Sequence, residues 1–422
     1  MKKIYILLTV LLGSISIQVS GQYFQQKTLS SKALQQDKTY YVGLPTGYNE
    51  ADTITKYPVI IFLHGASVTA TDMVNTLEPI VSNFLAPLIF DKLFKVIFII
   101  PDGSCAPYKG SFYTNSTLYG NYEDYISKDL VAEITSKYHT SRHREKWSIM
   151  GHSMGGFGAM KIALKYPDKF IGVASLSGPL NITYFQEILP LLLAEHGTAA
   201  PYDITYSGSI SQLVYSMAGA FSPNPGATPP VNLPVNPDGT INPTVLGIWE
   251  NYNPINLIKG WKGNPAMAVF TYCGDLDEFK LATPNQMFSD TLSKNNLSHT
   301  YIEDPSGDHV NSLITSLPQG VNFLYHVMDT AQVRITTIIN PALSANTINV
   351  YPNPATERFF VSGTTVNLSH IVIHNLSGQN VMQFENPVLS QGIDIGKLVK
   401  GVYFVSLMGP NGNTSTLKLI KN

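Results

Sequence analysis

The sequence predicts a mostly parallel α/β domain followed by a small all-β sandwich. Three features carry this reading: β-branched apolar runs that end in glycine turns, helical patterns between them, and a change of texture after Asp329. Residues 58–63 (PVIIFL) are apolar throughout, as a strand covered on both faces requires. Residues 96–100, 147–150, 171–176, 266–272 and 300–303 repeat that character. Among the helical stretches, Glu123 and Asp124 open one whose apolar positions Ile126, Leu130, Ile134 and Tyr138 recur every four residues. Lys137 and His139 close it, so the charges at both ends suit the helix dipole.

One region resists this pattern. Residues 221–243 hold seven prolines in 23 positions, which excludes regular structure there. Residues 180–262 therefore read as an insertion over the carboxyl edge of the sheet, either a cap that shapes a cleft or a disordered excursion. After Asp329, residues 331–346 are rich in Thr, Asn, Ala and Ile and read as a linker. Short runs at 358–362, 370–375, 381–384, 401–407 and 416–420 follow, separated by turn pairs such as Ser377-Gly378 and Asn411-Gly412. They describe a sandwich over 347–422.

Composition narrows the partners. Of the 422 residues 44% are hydrophobic, enough for a large core. Charged residues make up only 13%, against roughly 25% in ordinary soluble domains, and the net charge is −2. Such a balance gives no electrostatic footprint for nucleic acid and no polybasic membrane patch. Cys105 and Cys273 are the two cysteines, too few for a disulfide scaffold or a four-thiolate metal site. The parallel-sheet order expected for this pattern separates their strands by four places, so they are expected to stay unbonded.

The N-terminus reads as an export signal. Lys2 and Lys3 precede an apolar run of about 14 residues, short of the roughly 20 that span a bilayer. Val19-Ser20-Gly21 offers small residues for cleavage, which makes 1–21 a signal peptide and leaves 22–330 as the α/β domain. No later stretch reaches spanning length, so no transmembrane segment is expected in the mature protein.

The chemistry begins at Gly151-His152-Ser153-Met154-Gly155, a G-x-S-x-G sequence between a strand and a helix. Glycines flank such a turn because a side chain there collides with neighbouring backbone. Ser153 is thus the expected nucleophile. A serine hydroxyl needs a base, and the base needs an orienting carboxylate. Each is expected on a loop after a later strand. Asp277 follows the strand ending near Tyr272, with Asp275 its competitor, and His309 lies in the turn-rich loop after the last core strand. His139 and His143 sit in a basic helix exit and His152 inside the turn itself. The Asp275-x-Asp277 pair does not read as a calcium loop, because Phe279 and Lys280 stand where an oxygen ligand and a glycine belong. No other metal spacing occurs, and no cofactor is expected. A tetrahedral intermediate needs two backbone N–H donors, expected from Met154 and Ala66.

Further words fit the same picture: Tyr57-Pro58-Val59, His64-Gly65, Tyr122-Glu123-Asp124-Tyr125-Ile126, Gly155-Gly156-Phe157-Gly158-Ala159-Met160 and Lys165-Tyr166-Pro167-Asp168-Lys169-Phe170. With the serine turn they resemble, over roughly 40–325, the esterase D and feruloyl esterase family of α/β-hydrolases. The resemblance implies an α/β-hydrolase fold and carries the triad to Ser153, Asp277 and His309. His152 departs from the family, which more often has Leu there. In the tail, Val350-Tyr351-Pro352-Asn353-Pro354-Ala355, Ile373-His374-Asn375-Leu376-Ser377-Gly378-Gln379 and Gly401-Val402-Tyr403-Phe404-Val405 resemble the type A sorting domain of type IX secretion. That implies passage across the outer membrane, with the type IX machinery as a partner. The combined expectation is a secreted or cell-surface serine esterase acting on acyl (feruloyl or acetyl) esters of carbohydrate. A serine peptidase of the same fold and an inactive surface binding protein are the rival readings.

Overall fold

The computed structural model describes residues 23–80, 95–196, 208–263, 265–330, 349–362, 368–375, 380–408 and 414–422. The expected signal peptide (1–21), the linker (331–346) and both turn pairs of the tail lie outside them. Two compact units emerge, Met1–Arg334 and Ile335–Asn422.

The first unit is built on an eight-stranded sheet: β1 (Phe24–Ser31), β2 (Gln36–Gly43), β3 (Val59–Leu63), β4 (Ile97–Pro101), β5 (Trp147–His152), β6 (Gly172–Leu176), β7 (Ala268–Gly274) and β8 (His299–Asp304). Their spatial order is β1-β2-β4-β3-β5-β6-β7-β8, with β1 and β2 antiparallel and the rest parallel. The central strands are buried at every position, which explains why their sequences show no polar alternation. The parallel register pairs Leu63 with Gly151 and Gly151 with Ser175, so the turns that follow open on one edge. The strand ends differ from expectation by a residue or two. β5 runs on through Gly151 and His152, and β7 through Cys273 and Gly274, because the parallel ladder continues there. Cys105 lies beyond β4 and Cys273 on β7, four places apart; both are buried free thiols. Burial pushes the Cys105 thiol up to about 12.

The β1–β2 hairpin has no counterpart in the sequence reading. β1 lacks clean alternation, and its anchor is tertiary: Phe24 packs on Phe98 with ring centroids 6.1 Å apart. The helix expected after Glu123 is also more irregular. A three-residue turn (Tyr122–Asp124) passes through a π-helical segment (Tyr125–Leu130) before the helix Val131–Lys137. Glu123 is not a surface dipole charge. It is buried and receives Lys161 Nζ at 2.6 Å and the Tyr166 hydroxyl at 2.9 Å.

The insertion is a packed cap. Four of its helices are described: α1 (Ile188–His196), α2 (Ser209–Phe221), α3 (Pro243–Trp249) and α4 (Pro254–Trp261). The proline-rich stretch between α2 and α3 is free of helix and regular strand, as its prolines require. Pro243 then opens α3 at a position where no N–H is needed, capped by Asn242, whose Oδ1 accepts the Val245 N–H at 3.2 Å. Phe221 packs on Trp249 (5.3 Å) and on Phe157 (5.3 Å), which anchors the cap to the helix that leaves the serine turn.

The tail unit holds two sheets, one of Asn349–Tyr351, Arg358–Ser362 and Ile393–Asp394, the other of His370–His374, Asn380–Glu385, Gly401–Met408 and Thr414–Lys421. They share a core that includes Phe359, Ile371, Ile373, Val405 and Leu419. No described helix of the chain is long and apolar enough to cross a membrane.

Candidate active site

Where β5 ends, the chain turns through Ser153 into the helix Met154–Lys165. Ser153 has φ 56° and ψ −122°, a conformation that L residues rarely adopt. The glycines around it are a matter of space. A Cβ on Gly155 would lie 1.9 Å from the Leu63 carbonyl oxygen, and one on Gly151 2.4 Å from the Gly155 carbonyl carbon. The neighbouring strand holds the turn, since the Ser153 N–H donates to the Leu176 carbonyl at 2.9 Å.

Two loops bring the partners. His309 Nε2 lies 2.9 Å from Ser153 Oγ, and His309 Nδ1 lies 2.7 Å from Asp277 Oδ2. A carboxylate only accepts, so Nδ1 carries the proton and Nε2 offers its lone pair to the serine hydroxyl. The other carboxylate oxygen of Asp277 accepts the Phe279 N–H at 2.9 Å. Asp277 and His309 are buried, 1% and 5% exposed. Asp275 is exposed and its carboxylate sits against Glu303. The two loops are sewn together: Leu276 N–H donates to the Gly307 carbonyl at 2.9 Å, and His309 N–H to Glu278 Oε2 at 3.0 Å. The Phe279 ring stands edge-on to the His309 ring at 4.6 Å.

Ala66 follows β3 and lines a cavity of about 370 Å³ together with Ser153 and His309. Behind it, His64 is fully buried. Its Nε2 accepts the Gly103 N–H at 2.8 Å, so Nδ1 is the protonated nitrogen, and it donates to the Gly65 carbonyl at 2.8 Å. Carbonyl and N–H point in opposite directions across a trans peptide, so this tie turns the Ala66 N–H away from His64. Asp102 stands behind His64, ion-paired to Lys38 at 2.7 Å. Burial opposes its charge, yet the Lys38 ammonium holds its pKa below the ordinary carboxylate value. Met154, the other expected donor, lines with Ser153 a narrow apolar cleft under the cap, walled by Phe185, Ile188, Leu213 and Met217.

The known proteins agree with this architecture. The family model described as "Putative esterase" matches residues 31–319. The chain belongs to this esterase family. Residues 349–422 of the chain match the secretion system C-terminal sorting domain. "Esterase MT1326" of Mycobacterium tuberculosis is 31% identical over 145 residues, 33% of this chain and 29% of that protein. An acetyl esterase of Caldicellulosiruptor saccharolyticus is 31% identical over 90 residues, 21% of this chain and 32% of its own. The chain thus spans about a third of the length of the curated relatives it matches. A ferulic acid esterase structure superimposes with a TM-score of 0.51 at 19% identity, covering 72% of this chain and 98% of that one, a likeness of fold.

Sequence reasoning brought Ser153, Asp277 and His309 to one place but missed what supports them. The Lys38–Asp102–His64 chain left no motif beyond the turn Pro101-Asp102-Gly103. His152 was visible only as a departure from the family. Its Nε2 donates to the His309 carbonyl at 2.8 Å. Burial, then the neighbouring His309, lower its pKa to about 4.

Proposed function

We propose that the chain is a secreted serine carboxylic-ester hydrolase, with Ser153 as nucleophile, His309 as proton carrier and Asp277 as its orienting acid. The observation that carries this is the unbroken line from Asp277 Oδ2 through His309 to Ser153 Oγ, at 2.7 and 2.9 Å. Ser153 Oγ attacks the acyl carbon while its proton passes to His309 Nε2. The negative charge that forms on the carbonyl oxygen is taken by the N–H groups of Met154 and Ala66. The departing alcohol takes the proton back from His309 and leaves an acyl-serine. Water, deprotonated by His309, then repeats the attack and releases the acid.

The proposed substrates are acyl esters of carbohydrate, feruloyl or acetyl. A cleft walled by Phe185, Ile188 and Met217 and a cavity lined by Ser67, Lys109 and Gln212, both bordered by Ser153, suit an acyl group and a hydroxylated alcohol. The sorting domain at 349–422 supports secretion or display at the cell surface. A signal peptide at 1–21 and the type IX machinery are the proposed route. A fluorophosphonate probe should label the wild-type protein at Ser153 and leave Ser153→Ala unlabelled. An unlabelled wild type would favour an inactive binding protein. Turnover of long-chain lipid esters alone would overturn the substrate class.

A further inference from the structure

His152 stands immediately before the nucleophile and touches the loop that carries His309. The residue is 7% exposed, and its ring centroid lies 5.0 Å from that of His309. Nε2 lies 2.8 Å from the His309 carbonyl oxygen. A carbonyl can only accept, so Nε2 carries the proton and the neutral ring leaves Nδ1 as a bare acceptor. Burial, then His309, lower its pKa to about 4, so the ring is neutral at neutral pH, and the hydrogen bond to the carbonyl fixes the tautomer. Among the described residues none donates to Nδ1. The nitrogen borders the glycine at 65: a Cβ there would lie 3.6 Å from Nδ1 and 3.4 Å from Ser153 Cβ. Gly65 thus adds no side chain between the nucleophile and this acceptor, and His152 itself lines the cavity beside Ser153.

The cavity on this side has a direction. His309 Nε2 must hand its proton to the leaving oxygen, so the alcohol departs on the wall that His309 lines. That wall belongs to the cavity of about 370 Å³, which also holds His152, Ser67, Lys109 and Gln212. His309 does not line the apolar cleft under the cap, which leaves that cleft to the acyl group.

We propose that His152 Nδ1 accepts a hydrogen bond from a hydroxyl adjacent to the ester oxygen of the departing alcohol. The site then selects esters of vicinal polyols, such as sugars, over esters of simple alcohols. This rests on the triad reading above. His152 is a specificity residue whose two nitrogens do different work: Nε2–H steadies the loop of the catalytic histidine, and Nδ1 reads the alcohol.

The test compares kcat/KM of the full-length protein on trans-2-hydroxycyclohexyl acetate and on cyclohexyl acetate. These share an acyl group and differ by the one hydroxyl. The wild type should prefer the hydroxylated ester, and His152→Leu should reduce that ratio about fivefold, the loss of one hydrogen bond. The ratio cancels any general loss from a disturbed His309. His152→Gln, whose amide can both donate and accept, should retain most of the preference. A wild-type ratio of one, or a ratio unchanged in His152→Leu, would overturn the proposal. Failure of the triad reading looks different. The wild type would then hydrolyse neither ester nor p-nitrophenyl acetate, and the inference would fall with it.

Discussion

Asp277→Asn tests the proposed relay at its most sensitive point. Both carboxylate oxygens of Asp277 act as acceptors, one from His309 Nδ1–H at 2.7 Å and one from the Phe279 N–H at 2.9 Å. An asparagine has one acceptor and one donor at those places. With its oxygen toward Phe279, its NH2 faces Nδ1 and drives the His309 proton to Nε2, where no lone pair remains for Ser153. With its oxygen toward His309, the NH2 is set against the Phe279 N–H, and the imidazolium formed during attack loses its counter-charge. Either arrangement should lower kcat by on the order of 10⁴, about 5.5 kcal/mol of barrier, with KM little changed. Asp275→Asn removes a charge from an exposed side chain and should change kcat by less than about twofold. The assay is steady-state hydrolysis of p-nitrophenyl acetate by both variants, with thermal melting to verify the fold. A larger loss in Asp275→Asn than in Asp277→Asn would refute the assignment of the acid. A loss under about tenfold in Asp277→Asn would refute the tautomer argument.

Two further outcomes follow from burial and from domain organisation. His152 ionises near 4 in the folded protein, against 6.5 for a free imidazole, because burial first and His309 second oppose its charge. As pH falls the unfolded chain takes up the proton first, so stability is lost from about pH 6.5 down to about 4, on the order of 3 kcal/mol. Urea unfolding at pH 7 and pH 4.5 should show that loss in the wild type and less of it in His152→Leu; equal losses in the two would contradict it. Deletion of residues 341–422 should leave kcat/KM per molecule within about twofold, since Ser153, Asp277, His309 and both cavities lie before Asp329. Measured secretion of the truncated protein should fail, and unimpaired export would make the tail a binding module instead.

Much of the fold was legible because its demands are local. A strand buried on both faces needs an unbroken apolar run, and residues 58–63 and 147–150 supply one without regard to the rest of the chain. The serine turn is equally local, since Gly155 sits where the Leu63 carbonyl leaves no room for a side chain. The strands of the tail follow the same rule, and the expected run 358–362 coincides with Arg358–Ser362. The β1–β2 hairpin escaped because its pattern is decided by what it packs on, Phe98 among others, rather than by an alternation of its own. The insertion was ambiguous for a related reason. Its prolines exclude regular structure, but whether it packs depends on Phe221 meeting Phe157, 64 positions earlier in the chain.

The sequence by itself determined the strained turn at Ser153, the chain order of Ser153, Asp277 and His309 and the two-unit plan, because a strained turn and doubly covered strands impose their residues on the chain directly. Only the tertiary structure separated Asp277 from Asp275. Two aspartates two positions apart in one loop look alike as text, and the contacts of Leu276 with Gly307 and of Phe279 with Asp277 turn one carboxylate inward and leave the other exposed beside Glu303. The same holds for His152. Its partner is the carbonyl of His309, 157 residues away, and no local rule links the two. Hydrogen-bond direction across such distances is set by how loops meet at the edge of the sheet.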